Sequence, residues 1–309
     1  MMDDEELAKV VRDVVLSKLQ EKQAQDALSA SPEDTSPEGT IPRHTYAEAG
    51  NPPLIVAANW KMHMDKRSTT EFAQAFDPPA RDDLGVVICP PYYLLSLLKD
   101  ALGDKPVAVG AQNMHPEPKG PFTGELSPLM LADAGCSHVI LGHSERRKNF
   151  GETSEKINPK VAAALGAGLA PILCVGETLD QREDGATMRV VTNQLTLSLN
   201  RISINEVRPL IIAYEPMWAI GTGRNATPEQ AQEVHAHIRE VLKQLYSYNV
   251  ARDTRILYGG SVKPDNAGDL AIQPDVDGFL VGGASLKPDS FTEIIRNALR
   301  ALEKDGSQG

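Results

Sequence analysis

Short apolar runs alternate with amphipathic segments along the chain from residue 54 onward. The runs are Leu54–Ala58, Val86–Cys89, Val107–Gly110, His138–Leu141, Pro171–Val175, Leu210–Tyr214, Arg255–Tyr258 and Gly278–Val281. Segments with helical periodicity lie between them, including Pro128–Gly135, Asn158–Ala167, Thr227–Leu245 and Phe291–Leu302. This alternation predicts a parallel sheet, and near-continuous apolar strands are typical of a sheet that is covered on both faces.

The number of strands decides between two architectures of the α/β class. Eight strands fit a single closed (β/α)8 barrel, which we predict over residues 53–304 with a short tail at 305–309. A doubly wound open sheet remains the alternative on the pattern alone.

The first 52 residues follow a different pattern. Residues 1–26 predict an amphipathic helix with acidic residues in its first turn and a stripe formed by Leu7, Val10, Val11, Val14, Val15 and Leu19. Residues 27–52 are rich in proline and serine and poor in apolar residues, which predicts a flexible linker.

Composition excludes several classes of function. The 309 residues carry a formal net charge of −11, which argues against nucleic acid and anionic membranes as partners. The acidic start is unlike a signal or transit peptide, and the cysteines at 89, 136 and 174 form no C-x-x-C pair. We therefore expect a cytoplasmic enzyme or binding protein, and backbone amides can still bind phosphate in such an acidic chain.

Polar and glycine-rich residues follow the ends of five predicted strands. They are Asn59–Lys61, Gly142–Arg147, Glu215–Pro216, Gly259–Ser261 and Gly282–Gly283. In a barrel the carboxyl ends of all strands meet on one face, which is where such folds place chemistry. The sequence therefore predicts one pocket that holds a carboxylate, an imidazole, an ammonium group and glycine amides.

These groups suit proton transfer on a hydroxy-carbonyl compound. Glu215, desolvated by Trp218, would gain basicity and could abstract a proton from the carbon next to a carbonyl. His143 could then donate a hydrogen bond to the resulting enediolate, and Lys61 could stabilise its charge. The sequence shows no metal-binding cluster and no nicotinamide fingerprint, so we expect neither a metal nor a cofactor.

Two further features predict a phosphorylated substrate. The glycine pairs 259–260 and 282–283 allow backbone amides to approach a phosphate closely, although the second pair is also compatible with a simple helix start. Ala219–Gly223 is predicted to form a lid that excludes water, because an exposed enediolate phosphate would eliminate its phosphate.

Five motifs together resemble the triosephosphate isomerase family. They are Asn59–Met62, Gly142–Arg147, Ala213–Gly223, Tyr258–Val262 and Val281–Leu286, and the resemblance extends from about Leu54 to Leu302. It implies interconversion of dihydroxyacetone phosphate and D-glyceraldehyde 3-phosphate, a reaction of glycolysis and gluconeogenesis.

The resemblance also implies roles for individual residues. Glu215 would be the base, His143 the neutral electrophile and Lys61 the electrostatic stabiliser. The other implied site residues comprise a carboxylate of unsettled role at Glu145, a substrate contact at Asn59, phosphate-binding amides at Gly221, Ser261 and Gly283, and Gly282, which shapes the approach.

Members of that family are usually homodimers. A loop after the third strand then reaches the neighbouring subunit's site, and Phe122–Glu125 resembles this loop, with Thr123 at its tip. Gln112 matches the family pattern and is predicted to support the same surface.

Several alternatives stay open. The same barrel could isomerise a four-carbon erythrulose phosphate, or serve as an inactive scaffold. The N-terminal helix could be solvated, could drive self-association, or could dock into a bacterial microcompartment, because Val11–Leu19 resembles an encapsulation peptide.

Three expectations concern structure alone. Arg147 and Glu152 are predicted to form an ion pair, Cys174 to pack in the barrel wall, and His235 to have no catalytic role.

Overall fold

The computed structural model describes residues 54–203, 205–207, 209–219 and 226–306. The predicted N-terminal helix and linker lie outside the described residues. None of the helices described there combines the length and hydropathy needed to cross a membrane.

Eight parallel strands close into a barrel in chain order, which confirms the predicted architecture and excludes the open sheet. The strands are β1 Leu54–Asn59, β2 Leu84–Cys89, β3 Ala108–Ala111, β4 His138–Leu141, β5 Ala170–Val175, β6 Ile211–Tyr214, β7 Arg255–Tyr258 and β8 Gly278–Val281.

Helices cover the outside of this barrel. They are α1 Lys66–Ala75, α2 Leu95–Leu102, α3 Pro128–Asp133, α4 Ser144–Phe150, α5 Ser154–Gly166, α6 Leu179–Glu183, α7 Thr187–Ser198, α8 Pro228–Leu245, α9 Tyr248–Asp253, α10 Ala267–Ala271 and α11 Pro288–Gly306. Capping residues fix several of their starts: Thr227 forms a capping box with Gln230 at the start of α8.

The alternation of side chains along each strand produces two apolar layers. In β1, Ile55 and Ala57 belong to the cluster inside the barrel, whereas Leu54 and Val56 pack outward against the helices. Cys174 is fully buried in the inner cluster, which confirms the packing role predicted for it. This filled interior leaves the rim as the place for a ligand.

The barrel closes where β1 pairs with β8. Ile55 is opposite Gly278, whose φ is +139°. A Cβ atom at position 278 would lie 1.8 Å from the carbonyl oxygen of Ile55, so only glycine fits the closure.

Candidate active site

A cavity of about 380 Å³ opens at the carboxyl ends of the strands. The predicted site residues that line it are Asn59, Lys61, His143, Glu145, Glu215, Ser261, Gly282 and Gly283. They come from β1, β4, β6, β7 and β8 or the loops after them, so barrel closure brings together side chains that lie far apart in sequence. Gly221 and most of the predicted lid Ala219–Gly223 lie outside the described residues, which leave out positions 220–225.

Glu215 lines this cavity with only 2% of its surface exposed. Its Oε1 lies 2.9 Å from Nε2 of His143, and its Oε2 accepts a hydrogen bond of 2.8 Å from the backbone amide of Ser144. A Cβ atom on Gly259 would come within 2.9 Å of Cγ of Glu215, so this glycine leaves space for the carboxylate.

The environment of Glu215 sets its ionisation. Burial raises the pKa of this carboxyl, but the adjacent His143, the amide of Ser144 and the ammonium of Lys61 outweigh burial and lower the pKa below its ordinary value. The gain in basicity expected from a dry site is therefore offset in this arrangement. Glu215 is ionised and able to accept a proton at neutral pH.

The tautomer of His143 follows from its backbone neighbour. His143 is the N-cap residue of α4, and its Nδ1 accepts a hydrogen bond of 3.2 Å from the amide of Glu145. A proton on Nδ1 would face that N–H group, so the imidazole carries its proton on Nε2, directed at Glu215. Burial lowers the pKa of His143 and the Glu215 carboxylate raises it, with a net upward shift. The Glu145 amide, which donates to Nδ1, disfavours a second proton on the imidazole.

Lys61 reaches the same cavity from a constrained backbone. Its φ is +52°, and its amide donates to Oδ1 of Asn59 at 3.0 Å. Its Nζ lies 2.6 Å from Oε1 of Glu145, whose side chain is about half exposed. Gln112 donates to the carbonyl oxygens of Lys61 and Cys89 at 2.8 and 3.0 Å. Gln112 thus holds the backbone of the loop after β1 that carries Lys61, a role that the sequence did not indicate.

Glycine-rich backbone forms the remaining wall. The turn Gly259–Lys263 and the turn at Gly282–Ala284 also line the cavity. Asn266 bridges the first turn, since its Nδ2 donates to the Ser261 carbonyl and its Oδ1 accepts from the Lys263 amide. Ser285 fixes the second turn by donating to the Gly282 carbonyl at 2.7 Å. These hydrogen bonds fix the conformation of both turns.

Trp218, which the sequence predicts to desolvate Glu215, forms a hydrogen bond with Glu177. Its indole N–H donates to Oε1 of Glu177 at 2.9 Å, and the Tyr214 hydroxyl donates to the same carboxylate. Arg182 pairs with Glu177 and places its guanidinium 5.0 Å from the Trp218 ring. Glu177 is fully buried, and sequence reasoning missed it, although Gly176–Glu177 follows β5 as the other site residues follow their strands.

The predicted ion pair between Arg147 and Glu152 is wrong. Arg147 donates to Gly142 O, Ser154 Oγ and Cys174 O, and so braces the turn before His143. Glu152 instead binds Arg146 at 2.8 Å and Lys160 at 2.6 Å. Consecutive residues on a helix point about 100° apart, so neighbouring arginines reach different partners.

Thr123 lies away from the cavity, in the exposed loop between β3 and α3. The adjacent Phe122 is 39% exposed and stacks on His115, with ring centroids 3.9 Å apart.

Comparison with known proteins agrees with this geometry. A family model described as triosephosphate isomerase matches residues 54–298. The triosephosphate isomerase of Carboxydothermus hydrogenoformans is 50% identical over 247 residues, which cover 79% of this chain and 98% of that protein. Those of Herpetosiphon aurantiacus and Geobacter metallireducens are 51% and 49% identical, over 78% of this chain and 98% and 97% of the relatives.

The match with the family model covers the barrel and every described element of the cavity. The relatives are covered almost from end to end, so the similarity is to whole enzymes rather than to a shared fold alone. The chain therefore belongs to the triosephosphate isomerase family, whose members interconvert dihydroxyacetone phosphate and D-glyceraldehyde 3-phosphate.

Proposed function

We propose that the chain performs this isomerisation with Glu215 as its single base. The supporting observation is the placement of Glu215, His143 and Lys61 around one cavity, with 2.9 Å between the carboxylate and Nε2 of His143. No described group of this chain other than Glu215 combines an ionised carboxylate, burial and a position beside an N–H donor in that cavity.

The reaction proceeds by transfer of one proton between two carbons. Glu215 takes the proton from the carbon next to the carbonyl, and the C–H electron pair forms the carbon–carbon double bond of an enediolate. The carbonyl oxygen becomes negative and is stabilised by Nε2–H of His143 and the Lys61 ammonium. Protonated Glu215 then returns the proton to the neighbouring carbon, while the hydroxyl proton of the enediolate moves to the former carbonyl oxygen and the other oxygen becomes the new carbonyl. Nothing is oxidised or reduced overall, and no cofactor is required.

Remaining cavity residues bind the substrate in this proposal. The amides of Ser261 and Gly283 hold the phosphate, Gly282 permits its close approach, and Asn59 contacts the substrate while fixing the Lys61 amide. Glu145 orients the Lys61 ammonium through the 2.6 Å contact between them. Gly221 would complete the phosphate site from outside the described residues.

A coupled assay of the purified chain and its Glu215→Asp variant tests this function. Shortening the side chain moves the base away from the substrate carbon, so kcat should fall by roughly two to three orders of magnitude. Glu183→Asp on the exposed α6 is the matched control and should retain activity. Unchanged turnover in Glu215→Asp would remove Glu215 from its role, and faster turnover of erythrulose 4-phosphate than of the triose would replace the substrate.

A homodimer is supported by apolar side chains left exposed near the rim. Met62, Tyr93 and Phe150 are 94%, 60% and 66% exposed, and each follows one of the first four strands, as does Phe122. Exposed apolar residues in such number mark an interface. Thr123 sits beside Phe122, so Thr123→Arg should yield monomers by light scattering. A dimer that persists in this variant would place the interface elsewhere.

Residues 1–26 form a docking helix for a protein partner in this proposal, and residues 27–52 act as its tether. The support is the apolar stripe from Leu7 to Leu19 and its resemblance to encapsulation peptides of bacterial microcompartments. The enzyme is then cytoplasmic or lies within a microcompartment lumen. Deleting residues 1–50 should abolish co-partitioning with shell particles and leave catalysis intact. Equal partitioning of both chains would exclude docking.

A further inference from the structure

The charges in the cavity pose a problem for a phosphorylated substrate. One ammonium group, Lys61, stands against two carboxylates, Glu145 and Glu215, and the Lys61 Nζ is already paired with Glu145 at 2.6 Å. Because Nδ1 of His143 accepts the Glu145 amide and so carries no proton, the imidazole adds no charge and these groups sum to −1. The whole chain carries −11. A phosphate dianion that approaches this rim therefore meets a repulsive field unless another cation offsets it.

Lys263 is that cation. It lines the cavity at its mouth, in the turn that also contains Gly259, Gly260 and Ser261, and its side chain is exposed. Among the residues that the structure describes, no carboxylate lies within ion-pair distance of its ammonium group. Its positive charge is therefore not cancelled locally, in contrast to that of Lys61.

Asn266 fixes where this cation stands. Its Oδ1 accepts from the Lys263 amide at 2.8 Å, and its Nδ2 donates to the Ser261 carbonyl at 3.0 Å. One side chain thus ties the backbone of Lys263 to the backbone of Ser261, which belongs to the proposed phosphate site. The Lys263 side chain is flexible, but the position of its backbone relative to Ser261 is fixed.

We propose that Lys263 captures the phosphate dianion at the mouth of the cavity and so selects phosphorylated over unphosphorylated trioses. This inference rests on the proposed function for the identity of the substrate. Lys263 acts on association and on the phosphate group, and it stabilises the bound substrate and the enediolate equally. It therefore raises kcat/KM and leaves kcat unchanged.

The test compares three variants, two of which remove a positive charge at different places. Lys263→Met removes the cation and retains the length of its stem, and Lys263→Arg restores the charge. Lys243→Met removes an equal charge near the C-terminal end of α8, at the opposite end of the barrel, where Lys243 pairs with Glu240 at 3.0 Å.

We expect Lys263→Met to lower kcat/KM for D-glyceraldehyde 3-phosphate by roughly two- to tenfold at low ionic strength, with the difference vanishing in high salt. Its kcat, its melting temperature and its kcat/KM for D-glyceraldehyde, which lacks the phosphate, should match the parent. Lys263→Arg should recover the loss, and Lys243→Met should show none.

Calorimetric titration with inorganic phosphate separates this inference from the proposed function. Lys263→Met should weaken phosphate binding by a similar factor, whatever the turnover of the chain. An unchanged phosphate affinity, an equal loss with D-glyceraldehyde, or an equal loss in Lys243→Met would each overturn the role of Lys263. Phosphate binding that depends on Lys263 in a chain without isomerase activity would instead reject the function alone.

Discussion

Gln112 holds the main chain of Lys61 in place by donating to its carbonyl oxygen at 2.8 Å. Lys61 has a φ of +52°, a region that costs a side-chain-bearing residue on the order of 1 kcal/mol. The amide of the same residue is held by Asn59 at 3.0 Å. Two side chains thus compensate a strained backbone and direct the ammonium into the cavity.

Replacing Gln112 should loosen this arrangement. In Gln112→Met the side chain keeps its length but donates no hydrogen bond, so the Lys61 ammonium samples unproductive positions and kcat/KM falls by about tenfold or more. Steady-state kinetics measure this loss. Gln232→Met is the matched control, since Gln232 bonds Asp275 far from the cavity. Equal kinetics in the two variants would contradict a positioning role for Gln112.

Replacing Lys61 should lower kcat/KM far more than replacing Glu145, although the two residues form one ion pair. Lys61→Met removes the ammonium that stabilises the enediolate, so kcat/KM should fall by about three orders of magnitude. Glu145→Gln keeps the ammonium, and the Glu145 side chain is 46% exposed, so the fall should be about tenfold or less. Both variants should fold, as circular dichroism checks. A larger loss in Glu145→Gln would make the carboxylate a direct participant.

Burial of His235 should weaken the fold in mild acid. His235 is fully buried, and burial lowers its pKa to about 4 from an ordinary 6.5, against a smaller upward effect of the Asp275 carbonyl. The unfolded chain therefore binds a proton at pH values where the folded chain does not, and stability falls as pH falls from about 6.5 toward 4. Between pH 7 and pH 5 the loss is on the order of 2 kcal/mol.

Urea unfolding at fixed protein concentration measures this dependence. His235→Gln keeps a donor for the Asp275 carbonyl, which Nδ1 of His235 contacts at 3.0 Å, and removes the titrating group. The slope of unfolding free energy between pH 7 and pH 5 should be shallower in the variant. Parallel slopes would assign the acid sensitivity to other groups.

The buried cluster of Glu152, Arg146 and Lys160 should contribute strongly to stability. Glu152 and Lys160 side chains are 7% and 11% exposed, with 2.6 Å between Oε1 and Nζ. Lys160→Met leaves the carboxylate with Arg146 as its remaining cation and should cost about 3 kcal/mol of unfolding free energy. Adding Glu152→Gln removes the carboxylate that has lost Lys160, so the double variant should be more stable than the sum of the single losses predicts. Strict additivity in this cycle would rule out the coupling.

Much of the fold follows from local pattern, and the differences have local causes. The strands β4, β7 and β8 have the predicted bounds because turn residues flank their apolar runs. The third strand is displaced by one residue, since Ala111 pairs with Val139 of β4 and Val107 belongs to the preceding turn. Pairing between strands, rather than propensity, sets such ends. The short helix α4 coincides with a site motif, and its six polar or charged residues, followed by Phe150 alone, gave no apolar periodicity.

The site was predictable where a residue acts by its identity at a strand end. Lys61, His143 and Glu215 line one cavity, as convergence of strand ends in a barrel requires. Contacts between side chains distant in sequence were not predictable. The bond from Trp218 to Glu177 spans 41 positions and that from Gln112 to Lys61 spans 51. Such pairs depend on three-dimensional packing, and a single sequence contains no record of them.

Closure of the barrel at Ile55 and Gly278 has a consequence for synthesis of the chain. The first strand has its second neighbour only in the last one, so about 220 residues separate the two partners along the chain. One edge of β1 therefore stays unpaired until residue 281 has left the ribosome, and open strand edges promote association with other chains. The barrel can therefore close only late in synthesis, and chaperones that bind nascent chains should matter most just before closure.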